Sequence, residues 1–287
     1  MTERRDVEGA GRVRLAVDVL DGTKPLGFLL VHGLASNARL WDGVARSLAA
    51  SGYPSAAVDL RGHGRSDKPD DGYDYATMCA DLVAVMESFG VGRIVAVGQS
   101  FGGNLVLELA ARAPGLLAGV ACVDGGMLDL AGRFERFEDA VAVLSPPQIA
   151  GTPASEMEAM MRSMHPDWPE EGIAGSMANF EVRPDGTVAP WLTLERHLAI
   201  LRTMWGSRPR DLYARISVPV LFMPADSPGT PEWTAEKRAA VDLALAALPD
   251  ATVRWFSPAD HDVHAQHPEE VATALVKRFG PLVEEAP

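Results

Sequence analysis

The feature that most constrains this chain is the stretch Ile94–Gly103, in which an apolar run leads into a Gly-Gln-Ser-Phe-Gly motif. The apolar residues are mostly β-branched, which is typical of a buried strand, and a helical pattern follows the motif. A turn this sharp between a strand and a helix brings Gly98 and Gly102 together, so we expect that neither position can carry a side chain. The strained turn is expected to expose the hydroxyl of Ser100 to a substrate.

Apolar strands and amphipathic helices alternate along most of the chain. Continuous apolar runs, typical of strands buried on both faces, occur at Gly27–Val31, Ala56–Val58, Val120–Val123 and Val218–Met223. Helical patterns are found near 41–50, 75–89, 234–248 and 268–279, and a last strand is expected over 252–256. This alternation predicts an α/β fold with a mainly parallel central sheet flanked by helices. Near the start of the chain, Asp21-Gly22 follows an alternating segment and predicts a hairpin turn.

The pattern changes between Met127 and Arg215. This segment is rich in Met and aromatic residues and is interrupted by prolines, and Asp185-Gly186 predicts a small hairpin within it. We expect a largely helical cap at 127–215, inserted into a core made of 1–126 and 216–287. Most of its apolar side chains are expected to pack on the core, and some to line the cleft above the serine. Trp191 and Trp205 are the candidates for that substrate-binding wall.

Composition argues against several classes of protein. With a net charge of −13 over 287 residues, the chain does not have the excess of Lys and Arg that binding to nucleic acids or anionic membranes requires. Residues 1–14 lack the apolar core of a signal peptide, and no apolar run approaches the ~20 residues of a membrane span. Cys79 and Cys122 are expected to be buried as small apolar residues. We expect a cytoplasmic monomer or homodimer with a small-molecule substrate and no nucleic-acid or membrane partner.

Four stretches, in the right order and separation, carry a resemblance to a known superfamily. They are Val31-His32-Gly33, the run Asp59–Asp67, the serine motif, and Asp260-His261 followed by Pro268-Glu269-Glu270-Val271. On these residues the chain resembles the α/β-hydrolase fold superfamily, in the group with a helical cap after the sixth strand. The likeness covers nearly the whole chain apart from the cap.

The resemblance implies a serine hydrolase with a catalytic triad. Ser100, at the nucleophile elbow, would attack the substrate, and His261, in the loop after the last strand, would remove its proton. A serine hydroxyl is a poor nucleophile at neutral pH until a neutral imidazole acts on it in this way. The backbone N–H groups of Leu34 and Phe101 would form the oxyanion hole.

Two aspartates are candidates for the acid that orients His261. The superfamily usually carries this acid after the seventh strand, as the second acidic residue of a Gly-Asp/Glu-x-Asp pattern. Here Asp226 falls on the first acidic position and Pro228 on the second. Asp124, at the end of the sixth strand, is the alternative used by some members, and in this respect the chain resembles the zearalenone-type lactonases. Asp124 is the preferred candidate, and Asp226 stays open.

Neither a metal nor a cofactor is expected. His261, His264 and His267 form a His-x-x-His-x-x-His run, but no carboxylate or thiol set completes a metal site there. A hydrolase serine needs no metal. We interpret His264 and His267 as cap contacts or as solvated residues.

These expectations together describe a cofactor-free serine esterase or lactonase that acts on a fairly hydrophobic small molecule through an acyl-enzyme on Ser100. A hydrolase of carbon–carbon bonds and an acyltransferase are alternatives on the same triad. A ligand-binding receptor on a hydrolase scaffold is the alternative from another class. Haloalkane dehalogenases and epoxide hydrolases are disfavoured because they need an aspartate where Ser100 stands.

Overall fold

The computed structural model describes residues 2–226 and 231–283, and its strands are numbered in chain order. The strands are β1 Thr2–Glu8, β2 Arg14–Leu20, β3 Leu26–Val31, β4 Ser55–Val58, β5 Arg93–Gln99, β6 Gly119–Val123, β7 Phe180–Val182, β8 Val188–Pro190, β9 Val220–Met223 and β10 Ala251–Val253. In the described part of the chain, eight of them form one sheet in the order β1-β2-β4-β3-β5-β6-β9-β10, and β7 pairs with β8 separately. Neighbours from β4 to β10 run parallel, while β1 and β2 add an antiparallel edge.

Helices connect these strands. They are α1 Asp42–Ala50, α2 Tyr75–Phe89, α3 Phe101–Arg112, α4 Leu130–Arg133, α5 Phe137–Leu144, α6 Ala154–Met164, α7 Glu170–Met177, α8 Leu194–Trp205, α9 Pro231–Ala247, α10 Val263–Gln266 and α11 Pro268–Phe279. None of the helices in residues 2–226 and 231–283 has the length and apolar character that crossing a membrane needs.

The central strands bury both faces in two apolar clusters. On β3, Leu29 and Val31 join the cluster that includes α2 and α3. Phe28 and Leu30 point to the opposite face and join the cluster that includes α1 and α11. Because both faces are buried, the strand has a continuous apolar sequence instead of an alternating one. The predicted α/β class, with a mostly parallel sheet flanked by helices, is therefore confirmed.

The prediction of a hairpin at Asp21-Gly22 is wrong. The strands on either side of it, β2 and β3, are not neighbours, because β4 lies between them. The backbone N–H groups of Thr23 and Lys24 instead donate to the carbonyl of Gly52, at 2.9 and 3.0 Å. The chain therefore passes the start of β4 here. The Asp21-Gly22 pair lies in the loop that connects β2 to β3 and not in a hairpin turn.

Within the described residues, the segment 127–215 adds no strand to the central sheet. It forms α4 to α8 and the β7–β8 hairpin, whose turn contains Gly186 at a φ of 82°, so the hairpin predicted there is confirmed. Helix α7 packs against Ala38–Trp41 and α1 of the surrounding chain. The segment therefore covers the region that follows β3, and its role as a cap stays a prediction.

The carboxyl ends of β3, β5 and β6 lie side by side in the sheet. Ser100 and Asp124 directly follow β5 and β6, Leu34 is three residues beyond the end of β3, and His261 lies in the loop beyond β10. Ligands of open parallel sheets bind at this edge. The topology thus gathers four of the predicted site residues in one region.

Candidate active site

Ser100 occupies the sharp turn between β5 and α3. Its backbone has φ 52° and ψ −118°, a conformation that residues with side chains rarely adopt. A Cβ on Gly98 would lie 2.1 Å from the carbonyl oxygen of Gly102, and a Cβ on Gly102 would lie 2.5 Å from the oxygens of Val31 and His32. The prediction that neither glycine can carry a side chain is confirmed, and the reason is contact with backbone.

A third close approach at the elbow was not predicted. A Cβ on Gly125 would lie 2.3 Å from the carbonyl oxygen of Ser100, so the chain that leaves β6 runs directly against the elbow. The signal available in the sequence was the Gly125-Gly126 pair immediately after Asp124. Glycine at 125 thus allows the residue before it to approach the serine.

The loop after β3 reaches the elbow from the other side. A Cβ on Gly33 would lie 3.1 Å from the Cβ of Ser100. Among the residues that the structure describes, neither the N–H of Leu34 nor that of Phe101 donates a hydrogen bond to another residue. Two unpaired amides beside a strained serine have the chemistry required of an oxyanion hole. The amide of Phe101 also lies at the positive end of the α3 dipole.

Two buried histidines fix the shape of this loop. His32 donates from Nδ1 to the carbonyl of Gly33 at 2.7 Å and accepts at Nε2 from the N–H of Leu60 at 3.0 Å. His63 accepts at Nε2 from the N–H of Ala35 at 3.3 Å, where the backbone has a φ of 57°. Burial lowers the pKa of His32 and holds that of His63 well below its ordinary value, so both rings stay neutral and can accept.

The structure brings Asp124 and His261 together. Nδ1 of His261 lies 2.5 Å from Oδ2 of Asp124, which places the ring proton on Nδ1 and leaves Nε2 as the free base. The Asp124 side chain is 1 % exposed, whereas that of His261 is half-exposed. Asp124 has a positive φ of 40°, which turns its side chain from the end of β6 towards the histidine loop. Its carboxylate also accepts from the N–H of Ala225 at 2.9 Å.

Electrostatics favour the charged form of both partners. Desolvation opposes the imidazolium, but the hydrogen bond and charge of Asp124 outweigh it and raise the pKa of His261 above its ordinary value. Desolvation likewise opposes the Asp124 carboxylate, and its hydrogen bonds with His261 and Lys237 outweigh it and lower the pKa of Asp124. The acid is therefore ionised at neutral pH and can stabilise a protonated His261.

The His261 loop is held beside the elbow by residues that sequence reasoning missed. Gln99, next to Ser100, donates from Nε2 to the carbonyl of His261 at 3.3 Å. Asp260 accepts from Nδ1 of His165 at 2.9 Å and from Nε1 of Trp168 at 2.8 Å, both on the segment 127–215. No hydrogen bond joins the Ser100 hydroxyl to His261 within residues 2–226 and 231–283. Such contacts are commonly long in free enzymes and shorten once substrate is bound.

The alternative acid, Asp226, does not contact His261. Its carboxylate accepts from Ser257 at 2.9 Å, from Thr234 at 3.1 Å and from Arg238 at 3.3 Å. The backbone N–H of Asp226 donates to the carbonyl of Phe256 at 2.8 Å, which holds Asp226 beside Ser257. Pro228, on the second position of the family pattern, lies outside the described residues. The geometry therefore favours Asp124 over Asp226.

The two tryptophans proposed for the substrate wall have other contacts. The ring of Trp191 lies 4.7 Å from the ammonium of Lys68 and lines a surface groove of about 430 Å³ together with Asn37 and Arg39. Trp205 donates from Nε1 to the carbonyl of Phe134 at 3.1 Å, within the segment 127–215. No described contact of either side chain involves Ser100 or His261. Their assignment to the substrate wall stays a prediction.

The other histidines of the His-x-x-His-x-x-His run differ in environment. His264 is fully buried with its ring 4.2 Å from that of Trp41, so it is not a solvated residue. It lies beside Glu171 and Gly172 of the segment 127–215, and the interpretation of it as a cap contact stays a prediction. His267 is partly exposed, with Nδ1 3.8 Å from Glu270. The described residues contain no cluster of three or more potential metal ligands. Cys79 and Cys122 are buried as expected, and burial raises the pKa of Cys79 to about 12.

Comparison with known proteins gives matches along most of the chain. A protein-family model described as "Alpha/beta hydrolase family" matches residues 28–274. The 2-(acetamidomethylene)succinate hydrolase of Mesorhizobium japonicum is 28 % identical over 274 residues, covering 92 % of this chain and 91 % of that protein.

Two solved structures share the fold. The crystal structure of E-2-(acetamidomethylene)succinate hydrolase has a TM-score of 0.80 at 24 % identity and covers 98 % of this chain and 100 % of its own. A thioesterase domain from the curacin biosynthetic pathway has a TM-score of 0.74 at 21 % identity, covering 96 % and 99 %. The expected kinship with zearalenone-type lactonases stays a prediction.

Proposed function

Because the chain belongs to the alpha/beta hydrolase family, we propose that it is a serine hydrolase that cleaves a carboxylic ester or lactone of a small, fairly hydrophobic molecule. The observation that carries this proposal is the contact of 2.5 Å between His261 Nδ1 and Asp124 Oδ2, in a loop that Gln99 holds next to Ser100. An imidazole whose far nitrogen is held by a buried carboxylate is the base that a serine nucleophile needs.

In the proposed mechanism, Ser100 Oγ attacks the carbonyl carbon while His261 Nε2 takes its proton. The negative charge on the carbonyl oxygen is stabilised by the N–H groups of Leu34 and Phe101. The imidazolium, paired with Asp124, then donates its proton to the leaving oxygen, which leaves an acyl group on Ser100. His261 next takes a proton from water, the hydroxide attacks the acyl carbon, and the acid departs as Ser100 regains its proton.

We propose that the segment 127–215 is the cap over this site. Support comes from its packing on Ala38–Trp41 and from the hydrogen bonds of His165 and Trp168 to Asp260. A cap in this position would shield the bound substrate and the developing oxyanion from bulk water. It would also contribute the side chains that select the substrate.

Hydrolysis of a small N-acyl compound is the second candidate. It is favoured by the match over 92 % of the chain to a hydrolase whose name specifies an acetamido-bearing succinate. The same triad can cleave such a bond, because His261 can protonate a leaving nitrogen as it does a leaving oxygen. A panel of aryl esters, lactones and N-acyl enamines would distinguish the two candidates by their relative kcat/KM.

The test of the proposal is Ser100→Ala. We expect this variant to lose labelling by a fluorophosphonate probe and to lose turnover of an activated aryl ester by about 10³-fold or more, since the nucleophile is gone. Its thermal unfolding should match that of the wild type, since the side-chain change removes a single hydroxyl. Undiminished turnover in the folded variant would falsify the mechanism, and absence of labelling in the wild type would favour a ligand-binding receptor.

A further inference from the structure

A lysine lies directly against the Asp124 carboxylate. Nζ of Lys237, on α9, is 2.8 Å from Oδ1 and 2.9 Å from Oδ2 of Asp124, and 2.8 Å from the carbonyl oxygen of Ala225. The Lys237 side chain is 13 % exposed. An ammonium has three N–H donors, and these three contacts use all of them. Lys237 therefore uses all of its N–H donors on the Asp124 carboxylate and the carbonyl of Ala225.

The position of Lys237 bears on the state of Asp124 when His261 is neutral. A carboxylate that is 1 % exposed and hydrogen-bonded only to neutral groups is strongly disfavoured as an ion. Lys237 supplies the compensating positive charge in that resting state. It also contacts both carboxylate oxygens, which restrains rotation of the group and keeps Oδ2 directed at His261.

We propose, on the basis of the serine-hydrolase function proposed above, that Lys237 is a positioning residue: it keeps Asp124 ionised and oriented, and sets the pH above which His261 acts as a base. The ammonium of Lys237 and the imidazole of His261 bind the same carboxylate. The ammonium therefore weakens the electrostatic attraction between Asp124 and a protonated His261. Without Lys237, His261 would hold its proton to a higher pH.

Other titratable groups also face His261. Asp262 lies on the same loop and His264 on α10, and Asp260, paired with His165 of the segment 127–215, lies beyond them. The carboxylate of Asp262 favours the imidazolium, and Lys237 opposes it. Among these groups, Lys237 shares the Asp124 carboxylate directly with His261. A substitution at 237 should therefore act on His261 mainly through Asp124.

The experiment measures the pH dependence of fluorophosphonate labelling in the wild type, Lys237→Met and Lys237→Arg. The midpoint of labelling should move up by about one pH unit in Lys237→Met, because a nearby positive charge is lost. Lys237→Arg should stay close to the wild type, because its charge is kept. Titration of the His261 ring by NMR in a Ser100→Ala background should show the same upward shift without any labelling.

The matched control is Arg238→Met, which removes a cation from the same helix whose partner is Asp226. Its midpoint should not move. An unchanged or lowered midpoint in folded Lys237→Met, with the wild type labelled normally, overturns the role of Lys237 but leaves the proposed function intact. A wild type that is never labelled contradicts the proposed function itself.

Lys237→Met will fail to fold if burying the Asp124 carboxylate without the ammonium costs more free energy than the fold provides. A double variant then tests the proposal. The proposal requires that Lys237→Met/Asp124→Asn regain the fold, because the buried charge is gone. Failure of the double variant to fold would overturn the proposal, since Lys237 would then support the structure through something other than Asp124.

Discussion

Asp124 accepts hydrogen bonds from three chemically different donors: an imidazole, an ammonium and a backbone amide. This set of partners explains how a buried carboxylate can be accommodated at the end of β6. A side chain with 1 % exposure remains ionised only with such compensation. Asp226, the alternative, has a partly exposed carboxylate whose described hydrogen-bond donors do not include the histidine.

The difference between the two aspartates predicts the outcome of paired substitutions. Asp124→Asn should lower kcat on an activated ester by about 10⁴, because an amide can hold the wrong tautomer of His261 and cannot stabilise the imidazolium. Asp226→Asn should keep kcat within about threefold, because the hydrogen bonds of its carboxylate in the described part of the chain go to Ser257, Thr234 and Arg238 and not to His261. Steady-state kinetics of both variants, with circular dichroism as the check on folding, measures this. A larger loss in Asp226→Asn would reverse the assignment.

At the scale of elements, the His261 loop is attached to the segment 127–215 by side chains. Asp260 accepts from His165 and Trp168, and Gln266 accepts from the N–H of Asp260 at 2.7 Å while donating to Asp167 at 2.6 Å. Displacement of the segment would break these contacts next to the histidine that we propose as the base. Substrate entry and the position of His261 are therefore expected to be linked.

This attachment predicts that Trp168→Phe lowers kcat by about tenfold, because loss of the indole N–H removes one of the two side-chain donors to Asp260 and loosens the loop that carries His261. The matched control is His197→Phe, which loses a ring hydrogen bond to the carbonyl of Leu144 made inside the same segment. Both variants should lose about 1–3 kcal/mol of unfolding free energy, measured in urea. Equal kcat values for the two variants would show that the attachment does not act on His261.

The elements themselves were largely predictable from the sequence, and the contacts between them were not. Helix α2 and the strand before Ser100 follow from local periodicity and from glycine chemistry, which need no knowledge of distant residues. Pairing is different, since the Asp21-Gly22 signal could not reveal that β4 inserts between β2 and β3. Lys237, Gln99 and Trp168 were missed for the same reason: each acts on a residue far away in sequence, at a distance that only the folded chain defines.

On the scale of the whole molecule, the interior contains several histidines that must remain neutral. His32 and His63 shape the loop after β3, and His264 packs on Trp41 with no described hydrogen-bond partner at either ring nitrogen. Burial lowers the pKa of His264 to about 3. In an unfolded chain the pKa of a histidine is about 6.5. Folding therefore becomes less favourable in acid, mainly because the His264 ring is buried.

The direction of this effect follows from which state binds the proton. Below about pH 6.5 the unfolded chain takes up a proton at His264 that the folded chain refuses until about pH 3, so stability falls as the pH drops through that interval. At pH 5 the contribution of this one residue amounts to about 2 kcal/mol. His264→Phe should remove that loss, because phenylalanine keeps the stacking on Trp41 and cannot take up a proton.

The measurement is urea unfolding of the wild type and His264→Phe at pH 7.5 and pH 5.0. The wild type should lose about 2 kcal/mol more than the variant between the two pH values, while both retain the losses due to His32 and His63. His267→Phe, three residues away and partly exposed, is the control and should follow the wild type. If His264→Phe loses as much stability as the wild type, then His264 takes up its proton in the folded chain, and the ring on Trp41 must be reached by water.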